Sequence, residues 1–478
     1  MLTSLTYLST EGSGPAALRI VTPPSDTRTP THFVALIDIS ESMSDRSKLT
    51  HVKHCMSLLL RFLAPEDYVS LITFGDASEI VLNRVSAAAT QTPVIEHAIE
   101  SLRTDGCTNF SAGIGSVRQV LEEATAAACP AKPGLLILTD GHANRGVCDS
   151  STLQKAVERI HELYPALSFS FVAYGTDHNA SLMKTMTDAV LGSYSIVENM
   201  EGAAVAMGDS LGSIISCTAQ NIVVEFPAGT TAHGPYTIDA RGRLVLGDLY
   251  AGSETMVLVE ATAGPVTVCG VTLPTLDPFR QEATATLDAT PNTEIDVTRL
   301  RYRCSNLFRQ IRTALTSNST DVSHITSQVA SFREALNDPR FADHPVVAML
   351  KAEFYSLDAA LQNIYTGDSD RLVSQLAQHE AFTSLLRGTT TTILPETTPL
   401  RRTRAVAGGG RAQFRPVGRR RASSGSTDMD PACCGVPSPP IAFCSPTSST
   451  RQRDVTELMR AASQQQAPVG KEDTEDEE

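Results

Sequence analysis

The sequence predicts an α/β protein built on a doubly wound, mostly parallel sheet, followed by a β-rich unit, a C-terminal helical bundle and a disordered tail. Three observations lead there. Over residues 31–217, strand-sized apolar runs alternate with amphipathic helical stretches, which implies crossover connections and a sheet covered on both faces. Residues 218–290 hold short strand candidates separated by Gly, Pro and Asp, without helical period, as in an antiparallel sheet or sandwich. Residues 291–388 return to apolar positions spaced by three and four, and from 389 to 478 no period persists.

Taken in order, residues 1–30 contain one strand candidate at 17–21, ended by Pro23 and Pro24. A lone short strand is unstable, so it is expected to join the sheet of 218–290. Residues 32–38 read as a buried strand, and 48–62 as a helix with Leu49, Val52, Cys55, Leu58, Leu59 and Phe62 on one face. Residues 67–74 and 79–85 form a strand pair around Gly75. A helix over 114–121 leads to a second buried strand at 134–140. Helices over 153–163, 183–191 and 203–215 then alternate with strands at 167–174 and 194–197. The β-rich unit is read from strands at 222–226, 243–246, 255–260, 266–271 and 283–287. Helical stripes run from Val297 to Leu315, from Val322 to Leu336 and, after Pro345, from Leu350 to Ile364, with a fourth helix over 371–386. Such stripes are packing faces.

At about 150 residues per domain, 478 residues suggest two to three domains. Lys and Arg total 39 against 53 Asp and Glu, a net charge of −14 that argues against a general nucleic-acid binder. No apolar run approaches the ~20 residues of a membrane span. The opening MLTSLTYLST lacks the charge and apolar core of a secretory signal, so a cytoplasmic protein is expected, with a nuclear location open. Ten cysteines include no CxxC pair. Seven are scattered singly and read as reduced, while Cys433, Cys434 and Cys444 cluster in the tail. That tail also carries eight arginines and no acid between Arg401 and Arg421, and six acids between Glu472 and Glu478. Segregated charge with few apolar anchors is a disorder signature. Its block Arg419-Arg-Arg-Ala-Ser-Ser424 has the pattern of a basophilic kinase site or an import patch. Oligomeric state is not legible.

The residues with chemistry lie at the ends of two buried strands. One ends in Asp38-Ile-Ser40-Glu-Ser42, the other in Thr139-Asp140-Gly141, and between them lies the loop Gly106-Cys-Thr108-Asn-Phe-Ser111. In an open parallel sheet, groups beyond the carboxyl ends of strands converge on one crevice. Asp38, Ser40, Ser42, Thr108 and Asp140 would then form an all-oxygen set. That suits Mg²⁺, with Mn²⁺ able to substitute, and leaves a coordination position for a partner's oxygen.

At these five residues the chain resembles the von Willebrand factor type A domain with its metal-ion-dependent adhesion site, over about residues 31–200. The resemblance implies direct metal contact by Ser40, Ser42 and Thr108. It implies contact largely through water by Asp38 and Asp140, with an acidic side chain of a protein ligand completing the shell. Many members have Gly between the two serines; here Glu41 stands there, and its carboxylate would repel an acidic ligand or compete for the open position. Residues 246–254, LGDLYAGSE, look like the region after the type A domain of certain intracellular proteins, some with RING, U-box or intein-like domains. This chain has no zinc-ligand pairs for a RING and no second catalytic module after 388. The expected function is a non-enzymatic, metal-dependent binding module or adaptor. The alternatives are a metal-independent scaffold and a hydrolase using His142 with Ser40, Ser42 or Ser111; the absence of G-x-S-x-G around these serines argues against the hydrolase.

Overall fold

A strand that is apolar at consecutive positions needs cover on both faces. Residues 33–37 form such a run inside a strand over 31–38 that is buried at every position in the computed structural model of the chain. The structure describes residues 2–362, apart from 8–13, 26–27, 130, 141, 176–177, 198–199, 235, 288–291 and 317–322, and Leu376 beyond them. Two strands come first, β1 (Leu2–Tyr7) and β2 (Gly14–Val21). Then follow β3 (Thr31–Asp38), a 3-10 segment (Glu41–Ser47), α1 (Lys48–Leu60), β4 (Tyr68–Phe74) and β5 (Ser78–Ser86). The next elements are α2 (Thr92–Ser101), α3 (Phe110–Ala126), β6 (Lys132–Thr139) and α4 (Ser150–Leu163). They lead to β7 (Ser168–Tyr174), α5 (Ala180–Ala189), β8 (Ser193–Val197) and α6 (Met200–Ser216).

Strands β3 to β8 make one sheet in the order β5-β4-β3-β6-β7-β8, parallel except for the β4–β5 hairpin. The two faces of β3 look into different cores. Phe33, Ala35 and Ile37 pack with Val52 of α1, Ile99 of α2 and Met207 of α6. Val34 and Leu36 pack with Val117 of α3, Val157 of α4 and Met183 of α5. Asn109, Asp149 and Asn179 cap α3, α4 and α5, each side chain accepting a backbone N–H of the first turn. Helix α2 is absent from the sequence reading. Only Ile95, Ala98 and Ile99 of its ten residues are buried, too short a stripe to stand out.

A β-sandwich follows. Its strands are β9 (Cys217–Glu225), β10 (Thr231–Ala232), β11 (Arg243–Tyr250), β12 (Glu254–Ala261), β13 (Thr267–Thr272), β14 (Pro278–Glu282) and β15 (Thr284–Leu287). One sheet runs β10-β12-β2-β1-β15 and the other β11-β9-β13-β14. Leu18, Ile20, Val257 and Val259 of the first meet Ile222, Val224, Leu244 and Val268 of the second in one core. Strand β2 pairs with β12 in antiparallel register, Ala17 opposite Leu258. The β1–β15 pair is parallel, so the sandwich is not antiparallel throughout.

The helical block comprises α7 (Thr293–Thr316), α8 (Ser323–Leu336) and α9 (Pro345–Gln362). Leu300, Cys304, Leu307 and Ile311 pack on Phe332, Leu336, Leu350 and Phe354. Helix α7 also docks on the sandwich, where the buried Tyr302 hydroxyl donates to the Met256 carbonyl at 2.9 Å. The helix expected over 371–386 lies outside the described residues except for Leu376, which is buried in this core, and the tail from 389 lies wholly outside them. No helix among the described residues is long and apolar enough to cross a membrane.

A buried polar knot joins sandwich and parallel sheet at the end where β6 begins. The Lys132 ammonium donates to the Ser168 hydroxyl at 2.8 Å and to the Asp248 carboxylate at 3.2 Å, and Ser168 donates to Asp248 at 2.7 Å. Gln220 completes it, donating to Asp248 at 3.3 Å and to the Ala166 carbonyl at 3.0 Å. Asp248 is one of the two acids of the LGDLYAGSE segment, the other being Glu254.

Candidate functional site

Neighbouring strands β3 and β6 deliver two carboxylates to the same end of the sheet: Asp38 is the last residue of one, and Asp140 directly follows the other. The Asp38 carboxylate is fully buried. It accepts the Ser40 backbone N–H at 2.9 Å and the Thr139 hydroxyl at 2.6 Å. Burial nevertheless pushes its pKa up to about 6; the bonds from Ser40 and Thr139 pull it down, and the charge of Asp140 adds to the rise.

From Ser40 a chain of oxygens leads to Asp140. The Ser40 and Ser42 hydroxyls are 3.2 Å apart, and Ser42 donates to Asp140 Oδ1 at 2.9 Å. With the Ser42 proton committed to Asp140, only the Ser40 hydroxyl is left to donate within the serine pair, and the Asp38 carboxylate competes for that proton. The second oxygen of Asp140 accepts Nζ of Lys48 at 2.7 Å, an ion pair with both side chains buried.

The third loop is stitched to this turn by its backbone. Asp105 N–H donates to the Ile39 carbonyl at 2.6 Å, and Glu41 N–H donates to the Gly106 carbonyl at 3.0 Å. Two glycines allow the approach. A Cβ on Gly75 would sit 2.3 Å from the Asp105 carbonyl oxygen, and Gly106 adopts φ +70 beside Asp76. Thr108, buried, donates its N–H to Asn144 Oδ1 at 2.8 Å, and its carbonyl accepts the N–H groups of Asn144 and Arg145 at 3.2 and 3.3 Å. Asp38, Ser40, Ser42 and Asp140 therefore belong to one bonded chain. Thr108 stands on the adjoining loop, tied to the segment after Asp140. We expect Gly75→Ala to cost about 1–3 kcal/mol, since backbone must move to admit the methyl group. Thermal denaturation would check this, and an unchanged midpoint would show the approach of the 105–108 loop to be soft.

Sequence reasoning missed Lys48, Thr139 and Asn144. Nothing in one sequence marks Lys48, a lysine at a helix start, as buried against a carboxylate. The donors gathered here are carboxylate and hydroxyl oxygens. Among the described residues no three His, Cys, Asp or Glu side chains assemble into a metal-binding group. His142 is exposed, and the Ser111 hydroxyl donates to Asn109 Oδ1 at 2.8 Å.

Residues 33–142, which span β3 to the loop after Asp140, match the family model described as von Willebrand factor type A domain. The chain carries a type A domain. It is 27% identical over 247 residues to the uncharacterized protein YfbK of Escherichia coli (strain K12), across 48% of this chain and 42% of that protein. The match thus spans less than half of that relative. Among solved structures, von Willebrand factor type A from Catenulispora acidiphila superposes with a TM-score of 0.55 at 15% identity, covering 73% of this chain and 88% of that one. The ArnB paralog VWA2 from Sulfolobus acidocaldarius gives 0.52 at 15%, covering 79% and 96%. At that identity the two likenesses show the fold, and their coverage extends beyond the type A domain itself.

Proposed function

We propose that the type A domain is a divalent-metal-dependent binding site for a protein ligand, and that the chain acts as a non-enzymatic adaptor. In this reading Asp38, Ser40, Ser42, Thr108 and Asp140 hold Mg²⁺, with Mn²⁺ able to substitute. The observation that carries it is the pairing of two buried carboxylates with the Ser40–Ser42 hydroxyl chain at one end of the sheet. Asp38 charges there against its burial, and a cation beside it would offset that cost. When bound, the ion supplies a coordination position for an acidic side chain of the ligand, next to exposed Glu41. A cytoplasmic setting fits the seven described cysteines, all free.

One observation favours the metal-independent scaffold instead: Lys48 already neutralises Asp140. Calorimetric titration of the chelator-stripped chain with Mg²⁺ separates the two readings. Asp38→Ala should weaken Mg²⁺ binding by at least about tenfold. Thr108→Ala, which removes a neutral hydroxyl, should spare the fold and cost less. Equal heats from the parent chain and Asp38→Ala would mean that no ion is held here.

A further inference from the structure

We infer that Lys48 is a built-in counter-ion of the metal site that opposes the divalent cation at Asp140. The inference rests on the metal reading above and concerns how tightly this chain holds the ion. Both oxygens of Asp140 are engaged: Oδ1 by the Ser42 hydroxyl at 2.9 Å, Oδ2 by the Lys48 ammonium at 2.7 Å. The lysine side chain is 10% exposed and the aspartate 5%, so water screens the pair poorly. Among the described residues, no other Lys or Arg bonds to Asp38 or Asp140. The cation on the neighbouring rim, Arg145, is spent on Asp76 at 3.1 Å.

The position is fixed by the chain itself. Ser47, left-handed at φ 58, ends the 3-10 segment that carries Ser42, and Lys48 opens α1 directly after it. Hydroxyl ligand and ammonium therefore come from one short stretch and reach the same carboxylate. Without a metal, two carboxylates face one ammonium, and the site is left one charge negative. A divalent ion adds two positive charges beside that ammonium. It must displace Lys48 from Asp140 or bind against its repulsion, and either course weakens it. If the ammonium stays, the loaded site is left one charge positive, which an acidic ligand would cancel.

The test uses the full chain, stripped with chelator and titrated with MgCl₂ by calorimetry. Lys48→Met should bind Mg²⁺ at least about tenfold more tightly than the parent, while Lys48→Arg, which keeps the charge, should stay near it. Lys48→Gln serves as a second neutral variant should Lys48→Met fold poorly. Thermal melting in chelator reads the other half of the role. Lys48→Met should lower the midpoint, and adding Asp140→Asn should recover it, because a neutral amide needs no counter-ion. Unchanged or weaker Mg²⁺ binding in both neutral variants would overturn the inference. Absence of Mg²⁺ heat in every variant would sink the metal reading, and the competition with it.

Discussion

Asp248→Ala is expected to destabilise the chain by about 3–5 kcal/mol, since it strands a buried ammonium. The Lys132 side chain is 2% exposed and Asp248 17%. Burial alone would lower the Lys132 pKa, but the charge of Asp248 acts against it, and the net direction is upward. Removing the carboxylate leaves the burial cost without its compensation, and also takes an acceptor from Ser168 and Gln220. The double change Lys132→Met with Asp248→Leu should recover most of the loss, because an apolar pair of similar bulk carries no charge to bury. Urea denaturation of the three chains measures both effects. A single variant as stable as the parent would show that water reaches Lys132.

The second large effect is with acid. His32 lies buried on β3, its Nε2 2.8 Å from the Ser70 hydroxyl. Burial, with a smaller contribution from Arg84, lowers its pKa to about 4 from an ordinary 6.5. Between those values the unfolded chain binds a proton that the folded chain refuses, so the contribution of His32 to stability is lost as pH falls from 6.5 to 4. A shift of that size corresponds to about 3 kcal/mol. Asp38 works in the opposite direction, because its raised pKa stabilises the fold as it protonates below 6. The parent chain can therefore look insensitive to acid over this range. The informative quantity is the difference between parent and His32→Gln, in which Asp38 cancels. In chelator, the variant should gain about 3 kcal/mol relative to the parent between pH 7 and pH 4. A constant difference would mean His32 titrates normally.

Legibility in the sequence followed the physics of each element. Strands buried on both faces announce themselves, since residues 33–37 and 135–138 are apolar without a break. Where burial is one-sided and short, the signal fades, as in α2 and in β14, whose PFRQE is largely exposed or half-buried. Strand β1 gave no cue either, LTSLTY being as polar as it is apolar. Asp38, Ser40 and Ser42 lie within one turn, so their nearness is local in the sequence, whereas Asp140 reaches them from the end of the neighbouring strand β6. Lys48 and Asp248 were not readable as partners. Their meaning depends on carboxylates and ammoniums brought together by folding, and a lone charged residue in a sequence is almost always solvated. The LGDLYAGSE segment could be recognised as a pattern, but only the fold gives its Asp248 a purpose.

The sandwich is discontinuous in sequence: β1 and β2 lie inside a sheet whose other members come after the whole type A domain. During synthesis, therefore, residues 2–21 leave the ribosome long before β12 and β15 exist to pair with them. The type A domain, whose strands and helices follow one another closely, can close on local contacts in the meantime. The sandwich has to wait, with β2 open along the edge that Val257 and Val259 will later cover. Slow elongation anywhere between residues 22 and 287 would prolong that exposure, and aggregation of this chain should respond to translation speed over that stretch more than after it.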